Sequence, residues 1–312
     1  MALVGIDLGG TNIAGAIAAR ERSVATLAHE GPEAVLKRVA ALARELTSEV
    51  EAVGMGLPGL VDREHGVSKF LPNMPTQWRD VPVAEFLRAE LGCPVYLLND
   101  ARLAALGEFI YGGRDAQTPQ AQTMVFFTLG TGVGGGVIVD GKLRLGPLGA
   151  AGEIGHQTIL PDGPLCGCGN RGCLETLASG PALSGEGVRL MRTGLAPRLH
   201  KLVGGDAQRV TPREMGIAAR EGDQAVEAAI ERVASYLGIA IANLVNVLHP
   251  ELVVLGGGVA ALGDLLLAPV RAEVLRRVGM FPADNVRIEN SALGDRAGAL
   301  GGIALAERAG QV

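Results

Sequence analysis

The chain has 312 residues, enough for two domains of ordinary size, and 28 Lys and Arg against 33 Asp and Glu leave a net charge of −5. That mild acidity argues against a protein held on nucleic acid by phosphate neutralisation, and against a polybasic membrane binder. Hydrophobic residues make up 48% and aromatics only 3%, so Ala, Val, Leu and Ile must fill the core, while 46 glycines, about double the usual share, point to turns and close backbone approaches.

The chain opens Met1-Ala2-Leu3-Val4-Gly5-Ile6-Asp7, with neither the basic stretch nor the cleavage site of a targeting segment. Ala2 to Asp7 and Ile13 to Ala19 are apolar runs around Gly9-Gly10, which predicts a β-hairpin. Glu33 to Glu49 carries Val35, Leu36, Val39, Leu42 and Leu46 at the spacing of an amphipathic helix. Glu51 to Gly56 reads as a strand, Gly56-Leu57-Pro58-Gly59 as a turn, and Val83 to Leu91 as a helix. Pro94 to Leu98 reads as a buried strand and Asp100 to Ile110 as a helix. Tyr111 to Thr123 is polar, bears glycine and proline, lacks periodicity, and is where a domain boundary is expected.

After it come a strand at Met124 to Leu129, the glycine run Gly130 to Gly136, and a strand at Val137 to Val139. The segment from Val125 aligns without a gap on the segment from Val4, Leu8 on Leu129 and Gly9 on Gly130, which suggests two related lobes. Further on, Asp223 to Leu248 reads as a long apolar helix, broken by Ser235, Asn243 and Asn246 and so expected to fall short of a membrane span. A strand at Glu251 to Leu255 runs into Gly256-Gly257-Gly258. Helix Val270 to Val278, strand Val286 to Glu289 and helix Arg296 to Ala309 complete an α/β pattern.

Gly130, Gly132 and Gly135 satisfy G-x-G-x-x-G, but a strand rather than a helix follows, so the dinucleotide fingerprint is excluded, and no Walker-type loop occurs. What remains is a strand–glycine turn–strand in duplicate, with Thr11 and Thr131 beside exposed amides. Such turns either cradle phosphate oxygens or are plain hairpins. Asp7, a carboxylate ending a buried strand beside Gly9-Gly10-Thr11, is costly there unless it serves a cation or hydrogen-bond donors, and next to phosphates it could hold Mg²⁺. Of four cysteines, Cys166, Cys168 and Cys173 lie close together, with His156 upstream. Three thiolates and an imidazole suit a closed tetrahedral Zn²⁺ site, and Gly167, Gly169 and Gly172 are expected to let the chain bend around it.

The run Gly5-Ile-Asp-Leu-Gly-Gly-Thr11 resembles the first phosphate loop of the sugar-kinase/actin superfamily, Gly130 to Gly136 its second, and Leu255-Gly256-Gly257-Gly258-Val259 its adenosine-contacting segment. Cys166-Gly-Cys-Gly-Asn-Arg-Gly-Cys173-Leu-Glu175, preceded by Glu153-Ile-Gly-His156, closely resembles the zinc signature of the ROK family (repressors, open reading frames and kinases). The resemblance spans essentially the whole chain. It implies a two-lobed sugar-kinase/actin-like, ribonuclease H-like duplicated α/β fold with an active-site cleft between the lobes. Residues 1–118, completed by the C-terminal helix 295–312, would form the small lobe, and 119–294 the large lobe with the zinc loop. ATP is expected on Asp7, Gly9, Gly10, Thr11, Asn12, Thr131, Gly132, Gly257 and Gly258.

Leu97-Leu98-Asn99-Asp100 ends a strand at its carboxyl edge, where α/β sheets place ligands. Asp100 could equally cap the following helix. The resemblance instead makes Asp100 the base that takes the proton of a sugar hydroxyl, with Asn99 on the sugar. It also places Glu153, His156 and Glu175 on the hexose, the histidine shared between zinc and sugar, with Gly59 and Asn73 on further sugar-side loops. The activity so implied is ATP-dependent phosphorylation of glucose at the 6-hydroxyl. Fructose, mannose and N-acetylhexosamines remain open as acceptors, and polyphosphate as a donor. A sugar-binding transcriptional regulator of the same family would carry a helix-turn-helix ahead of Gly5, for which no room is expected. A zinc-ribbon interaction protein would leave the glycine loops unexplained. The resulting expectation is a cytoplasmic homodimer or homotetramer acting on hexose and ATP, with no nucleic-acid or membrane partner.

Overall fold

The computed structural model describes residues 1–71, 74–76, 78–113 and 121–312. The chain forms two compact units: Met1–Gln120 with Gly136–Gly152 and Ala292–Val312, and Ala121–Gly135 with Glu153–Ser291.

In unit 1, β1 (Ala2–Leu8), β2 (Asn12–Ile17), β3 (Arg20–Ala25), α1 (Pro32–Leu46), β4 (Val50–Leu57), β5 (Leu60–Asp62), β6 (Val67–Phe70), β7 (Arg79–Val81), α2 (Val83–Leu91), β8 (Val95–Asn99) and α3 (Asp100–Tyr111) follow in order. The main sheet runs β3-β2-β1-β4-β8. Its β1–β4 and β4–β8 pairs are parallel, and its β1–β2 and β2–β3 pairs antiparallel. A small antiparallel sheet, β5-β6-β7, lies beside the fully buried Trp78. The expected hairpin, helix and strands are present here; β3 and β5 to β7 lie outside the sequence reading, being short and partly polar.

The chain continues with β9 (Met124–Leu129), β10 (Val133–Val139), β11 (Lys142–Leu143), α4 (Leu174–Ala178), α5 (Gly180–Arg192), α6 (Pro197–Val203), α7 (Pro212–Arg220), α8 (Gln224–Leu248), β12 (Leu252–Gly256), α9 (Asp264–Arg277), β13 (Arg287–Asn290) and α10 (Ala297–Glu307). Strand β11 and helix α10 belong to unit 1, β10 passes from unit 2 into unit 1 at Gly136, and the others belong to unit 2. The second sheet runs β11-β10-β9-β12-β13. Its order is therefore third-second-first-fourth-fifth, as in the first sheet, and the duplication is one of topology. The glycine run is shorter as a turn than expected, since β10 begins at Val133. Gly135 sits inside the strand because a Cβ there would come within 2.4 Å of Phe126 O.

Helix α8 is long and apolar enough to cross a bilayer by length and composition, against the expectation. Val226, Ile230, Val233, Leu237 and Ile241 along it are buried within unit 2, as in a core helix. Residues 184–213, which carry no sequence signal, fold largely as α5, α6 and the start of α7. Ser179 Oγ and Thr211 Oγ1 accept from the first-turn amides of α5 and α7.

The glycine excess finds its use where α10 meets the first sheet. Successive residues of a strand face opposite ways, so Ile6 turns toward Leu42 and Leu46 of α1, and Gly5 toward α10. A Cβ on Gly5 would lie 1.8 Å from Ala299 O, and one on Gly54 of β4 would lie 2.0 Å from Gly302 O. Helix and sheet thus touch backbone to backbone. Helices α3 and α10 meet likewise, with Gly107 against Ala297 O and Gly301 against Leu103 O. The segment 136–152, assigned to the large lobe by the sequence-based bounds, packs with unit 1: Arg102 of α3 donates to Ala150 O at 3.1 Å and Ala151 O at 3.0 Å.

This packing inverts a familiar preference. Alanine usually stabilises a helix interior over glycine by about 0.5–1 kcal/mol. A Cβ on Gly302 would lie 2.5 Å from Gly54 O and 2.6 Å from Gly5 Cα, both backbone. Gly302→Ala is therefore expected to destabilise by about 2 kcal/mol and lower Tm by several degrees in a thermal melt. A higher Tm would mean that α10 can move away at no cost.

Candidate functional site

One group of candidate residues lies at the carboxyl edge of the unit 1 sheet. Asp7 pairs with Gly56 of β4, and Leu57 pairs with Asn99 of β8. Gly56 thus separates Asp7 from Asp100. A Cβ on it would come 3.3 Å from Asp100 Cα and 3.5 Å from Asp7 Oδ1. On another side Gly298 of α10 leaves room for the carboxylate, since a Cβ there would meet Asp7 Oδ2 at 2.1 Å. Burial first, and the charge of Asp100 second, push Asp7 from 3.8 up to about 7. Carboxylate oxygens are hard donors, so this paired set fits a divalent cation such as Mg²⁺.

The turn after β1 is fastened from behind. Gly9 N donates to Asn12 O at 2.9 Å, Thr26 Oγ1 to Gly9 O at 2.7 Å and Thr26 N to Thr11 O at 2.8 Å. Thr26 is fully buried, whereas Gly10, Thr11 and Asn12 are exposed. The turn is held rigid while its outer edge faces solvent.

Asn99, not Asp100, is the N-cap of α3. Its Oδ1 accepts from Ala101 N at 3.1 Å and Arg102 N at 3.3 Å, and its Nδ2 donates to Gly59 O at 3.1 Å. Asp100 is the first helical residue, with Oδ1 2.8 Å from Ala101 N. Gly59 adopts φ 76°, a conformation suited to glycine. Asn73 lies outside the described residues.

Another group of candidate residues belongs to unit 2. His156, Cys166, Cys168 and Cys173 bring one donor atom each within 4.8 Å of one another. Bonds of about 2.3 Å to sulfur and about 2.0 Å to nitrogen imply tetrahedral edges of about 3.8 Å between sulfurs and about 3.6 Å from sulfur to nitrogen. Cys168 Sγ and Cys173 Sγ are 3.7 Å apart, and Cys166 Sγ is 3.6 Å from His156 Nδ1. A disulfide is excluded at that separation. Burial pushes the Cys166 and Cys173 thiols up, Cys173 to about 12, so a nearby cation would offset the cost of their ionisation. The donor set fits a tetrahedral divalent metal. Gly169 and Gly172 take positive φ, but Gly167 does not and has open space around it, so the bend does not depend on Gly167.

His156 turns its other nitrogen, Nε2, toward Glu153 Oε2 at 3.8 Å. Glu175, two residues past Cys173, reaches both ways. Its Oε1 is 3.8 Å from Cys166 Sγ, and its Oε2 accepts from Val133 N at 3.0 Å, directly after the second glycine turn. A Cβ on Gly132 would meet Glu175 Oε2 at 2.4 Å. Sequence reading put Glu175 on the sugar alone and Gly132 on phosphate alone; in the structure the two are packed together. No local pattern could have revealed that bond.

Val259 N donates to Leu129 O at 3.0 Å, so the Gly257-Gly258 turn is tied to the base of the Thr131-Gly132 turn. Beside Gly258, a cavity of about 310 Å³ is lined by Arg213, Ile217, Arg220, Ala261 and Leu262, with Arg220 Nη2 donating to Leu262 O at 2.8 Å. Apart from Gly258, none of these residues was marked by the sequence reading. Helix α7, which supplies three of them, carries no motif.

A sequence model of the ROK family matches residues 3–309. A glucokinase of Thermotoga maritima is 35% identical over 310 residues, covering 96% of this chain and 95% of its own. A xylose repressor of Caldicellulosiruptor bescii is 36% identical over 253 residues, which cover 81% of this chain and 61% of the repressor. The crystal structure of a ROK family glucokinase from Streptomyces griseus, in complex with glucose and AMPPNP, is 32% identical with a TM-score of 0.84, covering 99% of this chain and 100% of that one.

The titration of Asp7 carries a measurable cost. Its folded pKa of about 7 exceeds the ordinary 3.8, so the native state holds the proton more tightly and stability falls as pH rises from about 4 to about 7. Asn at this position has no such loss. Without added magnesium, Asp7→Asn is expected to raise Tm relative to the parent chain at pH 8 and to leave it little changed near pH 4. Parallel melting curves at both pH values would show that Asp7 is neither buried nor crowded.

Proposed function

The chain belongs to the ROK family, and we infer that it is an ATP-dependent hexose kinase that phosphorylates glucose at the 6-hydroxyl. The observation that carries this reading is Asp100, placed at the carboxyl end of β8 with the capping amide of Asn99 behind it. A phosphoryl transfer to a hydroxyl needs one carboxylate that aims the oxygen and accepts its proton. In this reading Asp100 takes the proton of the 6-hydroxyl, the oxygen attacks the γ-phosphoryl in line, and ADP leaves.

The remaining residues divide by chemistry. Asn99, Gly59, Glu153, His156 and Glu175 hold the sugar hydroxyls, with Asn73 assigned there by the family resemblance alone. The amides of Gly10, Thr11 and Asn12, and of Thr131 and Gly132, donate to phosphate oxygens, while Gly9, whose own N–H closes the turn on Asn12 O, lets the phosphates approach the backbone. Gly257 and Gly258 meet the nucleoside, whose base would fit the cavity edged by Ile217 and Arg213. Asp7 would hold the Mg²⁺ that accompanies ATP, which supplies neutralisation of phosphate charge. His156, Cys166, Cys168 and Cys173 would hold Zn²⁺, which supplies rigidity to the loop bearing Glu175. The net charge of −5 supports an enzyme without a nucleic-acid partner, and we assign it to the cytoplasm as a homo-oligomer.

The similarity to a xylose repressor raises a second reading, a sugar-responsive regulator. A gel shift with operator-like DNA distinguishes the two, and no retarded band is expected. A coupled assay over glucose, fructose, mannose and N-acetylhexosamines, with ATP or polyphosphate as donor, is expected to give its highest kcat/KM with glucose and ATP. Turnover of none of them would end the kinase reading.

Asp100→Asn is expected to keep the fold and glucose binding while kcat falls by about two orders of magnitude or more, the usual span for a general base. Near-parental turnover would remove Asp100 from the mechanism. Cys168→Ser is expected to lower metal content and to weaken glucose and nucleotide binding together in separate titrations, because Glu175 joins the metal loop to Val133 N. Metal loss with both affinities unaltered would leave the cluster a clip remote from the chemistry.

A further inference from the structure

Arg102 is a buried cation that the reaction as described does not use. It is 1% exposed and lies on the first turn of α3, two residues after Asp100. Its Nη1 donates to Asn99 Oδ1 at 2.9 Å, its Nε to Ala151 O at 3.0 Å and its Nη2 to Ala150 O at 3.1 Å. One planar fork therefore ties a capping side chain to a turn some 50 residues further on, as its sequence separations of 48 and 49 record.

We propose that Arg102 is a positioning residue for the acceptor sugar: it locks the Asn99 amide so that an N–H faces the ligand, and pins the 150–151 turn to the start of α3. A side-chain amide can present either its oxygen or its nitrogen, and the surrounding donors decide which. Three donors converge on Asn99 Oδ1: Ala101 N, Arg102 N and Arg102 Nη1. An ordinary N-cap provides the two backbone donors. The guanidinium adds a charge-assisted third, which a rotated amide would meet with its own N–H groups.

With the oxygen committed inward, Nδ2 carries the outward hydrogens. One goes to Gly59 O at 3.1 Å. The other is available to a sugar oxygen, and the 9% exposure of Asn99 suits a single outward N–H. Lysine cannot reproduce this, because one nitrogen does not span a side chain and two carbonyls. Arg102 itself touches no ligand at 1% exposure.

The inference rests on the hexose-kinase reading, and one experiment separates them. KM for glucose, KM for ATP and kcat are measured for the parent chain, Arg102→Lys and Arg102→Met, with folding checked by circular dichroism and melting. Arg102→Met is expected to raise KM for glucose at least tenfold while KM for ATP stays within twofold. Arg102→Lys, keeping one donor, is expected to fall between, at threefold or more, and it carries the test if the Met variant does not fold. A glucose KM within twofold of the parent in a folded variant overturns the inference, as does a matching rise in KM for ATP. A parent chain that phosphorylates no hexose overturns the functional reading and this inference with it.

Discussion

Two carboxylates stand side by side at the edge of a buried sheet, and much of unit 1 is arranged around that fact. Asp7, next to the end of β1, and Asp100, directly after β8, flank β4, where Gly56 leaves no side chain between them. Neither burial nor mutual repulsion favours this arrangement, and both push Asp7 upward. Such a pair persists only if the surroundings over-determine it and binding partners later relieve it. The packing of α10 supplies the first condition. Its glycines bring its backbone onto β1 and β4, and Gly298 at its start makes room for the Asp7 carboxylate. Cation and sugar hydroxyl would supply the second.

The duplicated topology shows what was changed between the halves. Asp7 has Thr128 as its counterpart in the gapless alignment, so the second turn lacks a carboxylate of its own. Its carboxylate comes instead from the metal loop, where Glu175 accepts from Val133 N. The two turns also close differently, Gly9 N on Asn12 O and Gly130 N on Gly132 O. Unit 2 therefore reaches an equivalent strand–turn–strand by a different route, and its turn depends on a loop folded around four metal-type donors.

What the sequence disclosed follows from the range of the interactions involved. Hairpins, α1, α8 and the strand ending at Asn99 were legible because periodicity and cap residues are local. The cysteine cluster was legible because its spacing is local too. Helices α5 to α7 carry no motif, and the cavity beside Gly258 stayed hidden with them. Glu175 on Val133 N spans 42 residues, and Arg102 on Ala150 O spans 48. Neither bond leaves a pattern in a single chain. Local sequence leaves Asp100 open between base and cap, and the structure gives the cap to Asn99, with Asp100 as the first helical residue.

Asp7 is a strained carboxylate held against Asp100. A ¹³C NMR titration of the aspartate side-chain carboxyls in the ligand-free chain tests it most directly. Asp7 is expected to titrate near 7, and to move down in Asp100→Asn as the neighbouring charge is removed. Titration at an ordinary value of about 4 in the parent chain would mean that Asp7 is neither desolvated nor crowded by Asp100.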